Sequence, residues 1–171
     1  TLNMGDITYE GSVSLGAGDD LLVLATAMDA AANLTDSKVT LDGGAGTADI
    51  LEVDDALAVA LGGLSAANIA KKGISNFEIL RINSDVPDDA AGDIDMTNLQ
   101  AFTTVEYEGA REDVHQLDNL ANGGTVKLTG VDTNGTIAVT IKDAAVAGHN
   151  TDTLNIVLNA AHAAATTSSD Y

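Results

Sequence analysis

Apolar residues in this chain come in short runs, each closed by a turn signal and none long enough to form a stable helix alone. The runs are Ile7–Val13, Leu21–Leu24, Lys38–Leu41, Ile50–Val53, Phe77–Ile82, Thr103–Tyr107, Thr125–Leu128, Ile137–Ile141 and Leu154–Leu158. They are rich in Val, Ile and Thr, and several alternate apolar with polar residues, as a half-buried strand does. Between them stand Asp42-Gly43-Gly44, Asn122-Gly123-Gly124 and Asn134-Gly135, turns in which glycine tolerates positive φ. The acids point the same way, because 20 are Asp and only 6 are Glu. Asp competes with the helix backbone and favours turns and caps.

Helical signals are brief. Ala25–Asn33 and Asp54–Leu61 each allow about two turns. A third candidate has Ser65 as N-cap, runs from Ala66 to Lys72 and is stopped by Gly73. In the second half the strand runs are spaced by about 13 to 26 residues, wider than tight hairpins allow. This spacing predicts a mainly β domain, an irregular parallel β-helix (β-solenoid) with short helical insertions, in which successive coils stack their Val, Ile and Leu. A two-sheet β-sandwich is the alternative. The β-rich domain covers 1–159, and 160–171 is an Ala/Thr/Ser-rich C-terminal segment. Both ends read as cuts within a longer polypeptide.

Charge and composition narrow the function. The 171 residues suffice for a single domain with its own core, and the formal net charge is −19. Seven basic residues among 26 acids would repel a nucleic-acid backbone or an anionic membrane surface, and no run is long enough to insert into a bilayer. The absence of Cys excludes disulfides and thiolate metal sites. With 45% hydrophobic residues the chain is not a disordered acidic tail. Asp is also a compact ligand for Ca²⁺, so the excess of Asp has two readings, an ion-binding set or a solvated, turn-dense surface.

Two segments repeat a pattern of strand, Gly-x-Gly turn, Asp and apolar strand. The first is Val13-Ser14-Leu15-Gly16-Ala17-Gly18-Asp19-Asp20-Leu21-Leu22, and the second is Val39-Thr40-Leu41-Asp42-Gly43-Gly44-Ala45-Gly46-Thr47-Ala48-Asp49-Ile50-Leu51. They resemble the calcium-binding repeat of RTX proteins, Gly-Gly-x-Gly-x-Asp-x-apolar-x. The glycines let backbone carbonyls face an ion, the Asp supplies charge, and the apolar residue anchors the next strand. The first copy has Leu15 in place of the leading Gly, and the second carries one extra residue, so Asp49 arrives one position late. Two copies 28 residues apart do not make a tandem array. The candidate Ca²⁺ residues are Gly16, Gly18, Asp19, Asp20, Asp42, Gly44, Gly46 and Asp49. The competing reading makes both segments tight turns whose Asp caps the backbone.

Three further segments, Gly73–Leu80, Leu117–Leu128 and Asp152–Asn159, are similar to stretches of bacterial surface-layer (S-layer) proteins and large RTX-type adhesins. That resemblance implies export by a one-step secretion apparatus and Ca²⁺-dependent folding outside the cell. It also implies a right-handed β-solenoid or β-sandwich. The partners it implies are other domains of the same polypeptide and further copies assembled into a lattice at the cell surface.

Other constellations are weaker. The acidic loop Ser84–Asp95 lacks the central Gly and terminal Glu of an EF-hand and reads as a solvated loop. Asp54-Asp55 reads as a helix cap. His115, His149 and His162 have no metal-binding spacing. Arg81 beside Glu78 reads as a surface ion pair. No Gly-x-Ser-x-Gly elbow or dinucleotide turn is present, so nothing points to catalysis. The expected role is non-enzymatic, a Ca²⁺-stiffened structural module of a secreted surface protein. A carbohydrate- or cell-surface-binding module and a polysaccharide-active β-helix enzyme are the rival roles.

Overall fold

Alternation along each short run decides which side chains leave water, and the strands stack by that rule. The structure is a computed structural model describing residues 2–4, 11–24, 39–68, 73–84, 93–109, 114–130, 136–143 and 151–158. In chain order the strands are β1 (Leu2–Met4), β2 (Gly11–Ser14), β3 (Leu21–Leu24), β4 (Val39–Asp42), β5 (Ile50–Val53) and β6 (Ile79–Ile82). They continue with β7 (Ile94–Asp95), β8 (Thr104–Tyr107), β9 (Val114–Leu120), β10 (Thr125–Leu128), β11 (Thr136–Ile141) and β12 (Asn155–Leu158). The helix α1 (Asp55–Gly62) follows β5.

The chain passes back and forth between two sides of a coil. One side is a seven-stranded sheet in the order β1-β3-β5-β6-β8-β10-β12. The other holds the pair β2-β4 and the triplet β11-β9-β7. Every strand pairing among the described residues is parallel. The molecule is therefore a β-solenoid, and the antiparallel sandwich alternative falls.

Register turns the alternation into columns. Leu22, Leu51, Leu80, Val105 and Val126 lie one above another on successive strands. A second column holds Val53, Ile82, Tyr107 and Leu128. All of these are buried except Leu128, which is partly so. Each fully buried Leu or Ile contributes about 1.5–3 kcal/mol relative to exposure, which is why a slip by one residue is so costly here. Both columns run on into β12, where Ile156 and Leu158 are 48% and 38% exposed.

The predicted helix at Asp54–Leu61 is present one residue later. Asp54 is its N-cap, and its carboxylate accepts from the Leu57 N–H at 2.8 Å. The helix buries Leu57, Ala58 and Leu61 and packs against β7. Of the third candidate, Ala66–Asn68 is helical, with Ser65 Oγ accepting from the Asn68 N–H at 3.3 Å. The candidate at Ala25–Asn33 lies outside the described residues, as does the C-terminal segment 160–171.

Between the two buried columns runs a third, on the outer side of the long sheet, and it alternates in sign. Glu52, Arg81, Glu106 and Lys127 occupy matching positions on β5, β6, β8 and β10. Arg81 meets Glu52 at 3.3 Å and Glu106 at 3.2 Å, and Lys127 meets Glu106 at 2.9 Å. A further contact at 3.3 Å joins Arg81 to Glu108. The expected partner Glu78 is not used: residues three apart on a strand point to opposite faces, whereas neighbours in register lie side by side. Burial lowers the affinity of the Arg81 guanidinium for its proton, but the surrounding carboxylates outweigh it and hold Arg81 above its ordinary pKa.

Candidate metal centre

The two Gly-x-Gly segments are neighbours in space because their separation equals one coil. Gly11 pairs with Val39 in the β2–β4 register, and the turns that follow touch through a parallel bridge from Ala17 to Ala45. Ala45 N–H donates to Gly16 O at 2.7 Å, and Gly18 N–H donates to Ala45 O at 2.9 Å. The tandem array absent from the sequence is thus replaced by one stacked pair.

The extra residue of the second copy has a structural purpose. Before the turn the partners are 28 residues apart (Gly11 and Val39), and after it they are 29 apart (Leu21 and Ile50). The insertion absorbs that change and sets Asp49 beside Asp20, whose backbone N–H donates to Asp49 Oδ1 at 2.7 Å.

Glycine is required at two of these positions for different reasons. Gly44 has φ +101°, and a Cβ there would lie 2.0 Å from the Gly16 carbonyl oxygen. At Gly46 an added Cβ would meet Asp49 Oδ2 at 2.5 Å and Gly18 O at 2.7 Å. Oxygen atoms from two successive coils therefore converge over Gly46.

The predicted acids divide into two groups. Asp19 Oδ1 accepts from the Thr47 and Ala48 N–H groups at 3.1 and 3.2 Å, so it caps the turn of the next coil. Asp42 Oδ1 accepts from Gly44 N–H at 3.0 Å and from Asn76 Nδ2 at 2.7 Å. Both are the backbone caps of the competing reading. Asp49 differs. It is fully buried, and its Oδ2 has no hydrogen-bond partner. A buried carboxylate oxygen without a partner carries a large desolvation cost.

Two of these oxygens are of the types that Ca²⁺ takes as ligands. Ca²⁺ accepts backbone carbonyls as readily as carboxylates. Asp49 Oδ2 and the Gly18 carbonyl supply one oxygen of each type, close together. Among the described residues no group of three or more His, Asp or Glu side chains gathers as a metal cage. A site here would be built mainly from turn carbonyls around the Asp49 carboxylate.

Sequence reading missed Glu78 and Asn76. Glu78 Oε2 accepts from the Asp49 N–H at 2.9 Å. The signal was periodic: Glu78 follows Asp49 by 29 residues, and Asp49 follows Asp20 by 29. Asn76, at φ +56°, follows Ser75, the bridge partner of Asp42, and takes a glycine-like backbone conformation beside Gly43.

The remaining candidates have ordinary roles. Of the acidic loop, 85–92 lies outside the described residues. Asp93 Oδ1 accepts from Gln116 N–H at 3.3 Å, and Asp95 Oδ1 accepts from Thr97 N–H at 2.8 Å and Asn119 Nδ2 at 2.9 Å. For Asp95, burial raises the carboxyl pKa, but hydrogen bonds from Thr97 and Asn119 and the charge of Lys142 outweigh it and leave it below 3.8. A carboxyl lowered in the folded state stabilises the protein above its unfolded pKa, and that contribution disappears as pH falls through the folded value. Asp95→Ala is therefore expected to flatten part of the stability loss below about pH 4 in acid titrations followed by circular dichroism. An acid limb parallel to that of the unmodified chain would refute this.

His115 is buried edge-on against the Tyr107 ring at 5.5 Å, while His149 and His162 lie outside the described residues. Arg81, which a polysaccharide-active enzyme would need beside its acids, is engaged in the ion-pair column. No described helix is long and apolar enough to cross a membrane. No known protein family, curated protein or solved structure matches the chain.

Proposed function

We propose that this chain is a structural module of a secreted bacterial surface protein, a β-solenoid stiffened by Ca²⁺ at its stacked glycine turns. The observation that carries the reading is the buried Asp49 Oδ2, without a hydrogen-bond partner, beside the Gly18 carbonyl of the preceding coil. On this reading Asp49, Gly18 and the backbone of the Gly16–Asp20 and Gly44–Asp49 turns hold the ion. The ion supplies the positive charge that the turns lack and ties two coils together. Asp19 and Asp42 shape the turns, and Asp20 enters through its backbone N–H.

The electrostatics give the ion a folding role. In the Ca²⁺-poor cytoplasm a chain of net charge −19 repels itself and stays open for export. Outside the cell Ca²⁺ binds the folded form and favours it by mass action. At a hundredfold excess over Kd one site adds about 2.7 kcal/mol, or about 5–10 °C in melting temperature for a domain of this size. Thermal melts of chelator-treated protein across a calcium titration are expected to show that rise, and Asp49→Asn is expected to remove it. A melting temperature indifferent to calcium would overturn the reading.

A further inference from the structure

The long sheet treats two of its charged columns in opposite ways. In the column of Glu52, Arg81, Glu106 and Lys127 each acid has a base beside it. Three residues earlier, at the entrance to β3, β5 and β6, the matching positions are Asp20, Asp49 and Glu78, as the Leu21–Ile50–Ile79 register requires. These strands lie about 4.8 Å apart, a distance at which like charges opposite one another destabilise the sheet. Among the described residues no Lys or Arg pairs with any of the three. The middle member, Asp49, is fully buried with Oδ2 unpartnered, and Glu78 Oε2 is bound to its N–H at 2.9 Å.

We infer that Glu78, which belongs to neither Gly-x-Gly segment, supplies a further negative charge to the cation site at Asp49, so that the ion holds three successive coils instead of two. The inference rests on the calcium reading above and goes beyond the repeat pattern, which assigns nothing to Glu78. Its logic is charge balance. The sheet provides its own counter-charges in one column and, among the described residues, none in the other. The number of ligand charges tunes calcium affinity, so a carboxylate one coil away is felt by the ion. Thr103 and Gly124 continue the column on the next two coils, and the acidic series ends at Glu78.

The test is Glu78→Gln in the full chain. Gln keeps an oxygen that can accept from the Asp49 N–H and removes only the charge. Isothermal titration of chelator-treated protein with calcium chloride is expected to show affinity reduced at least about tenfold. The melting temperature without calcium should stay equal or rise, because one like-charge contact is relieved. These opposite signs are what a merely structural Glu78 would not give. Glu78→Asp, which keeps the charge, should bind with intermediate affinity. If the unmodified chain binds calcium and Glu78→Gln binds equally well, the inference is overturned and the two-coil site stands. If Glu78→Gln lowers calcium-free stability and leaves affinity unchanged, Glu78 is structural and the inference is again overturned. If the unmodified chain binds no calcium, both readings fail together.

Discussion

Arg81→Met is expected to destabilise the folded chain by about 3–5 kcal/mol, the loss seen when one member of a buried ion pair is removed. The size follows from what it leaves behind. The Glu106 side chain is 3% exposed and, among the described residues, would keep only Lys127 as a cationic partner, itself 38% exposed. Glu52 would lose its guanidinium and keep the Asn83 amide at 2.9 Å. Met fills a similar volume, so packing loss is small and the measured change reports charge. Urea unfolding of Arg81→Met, Glu106→Gln and the double variant forms a cycle, and a coupling energy above about 1 kcal/mol is expected. A coupling near zero would return Arg81 to the class of surface pairs worth little.

Gly44→Ala is expected to cost about 3 kcal/mol or more, from two sources. A non-glycine residue at φ +101° carries roughly 1–3 kcal/mol of backbone strain. The new methyl would also sit 2.0 Å from the Gly16 carbonyl, a backbone atom that cannot rotate aside, so the stacked turns must part. Gly16→Ala separates the two terms. Its φ is +96°, yet a Cβ there meets nothing within 4 Å, so strain acts alone. Thermal melts should rank Gly44→Ala well below Gly16→Ala, and Gly44→Ala should lose any calcium response. Equal losses would show that the coils yield easily and that the turn stack contributes little.

The sequence made the fold legible where strands are apolar. Leu21–Leu24, Ile50–Val53 and Thr125–Leu128 are found as read, and the uneven spacing pointed correctly to a solenoid. β9 was not legible, because Val114–Leu120 carries His, Gln, Asp and Asn within seven residues. It is a strand because His115 and Leu117 point inward beneath Tyr107 and Ile94, which is a tertiary fact. β7 spans two residues, too short for any period to register. At the candidate site the glycines and Asp49 were visible as a motif. Their stacking was hidden in a number, since a separation of 28 means nothing until one coil is known to be that long. The acidic column was hidden for the same reason. Arg81 was misassigned because adjacency along the chain was read as contact, whereas in a parallel stack contact belongs to residues one coil away.

The seven-stranded sheet also fixes a scale. Six strand spacings of about 4.8 Å give a rise of about 29 Å, set by backbone hydrogen bonds and independent of how many residues each coil spends. Coils here range from 20 residues (Leu2 to Leu22) to 30 (Thr125 to Asn155), yet each advances the axis by the same step. Extra residues in a coil leave that step unchanged. The outer surface is thereby graduated like a ruler, and any side chain repeated at one place in the coil is displayed at a pitch of about 4.8 Å.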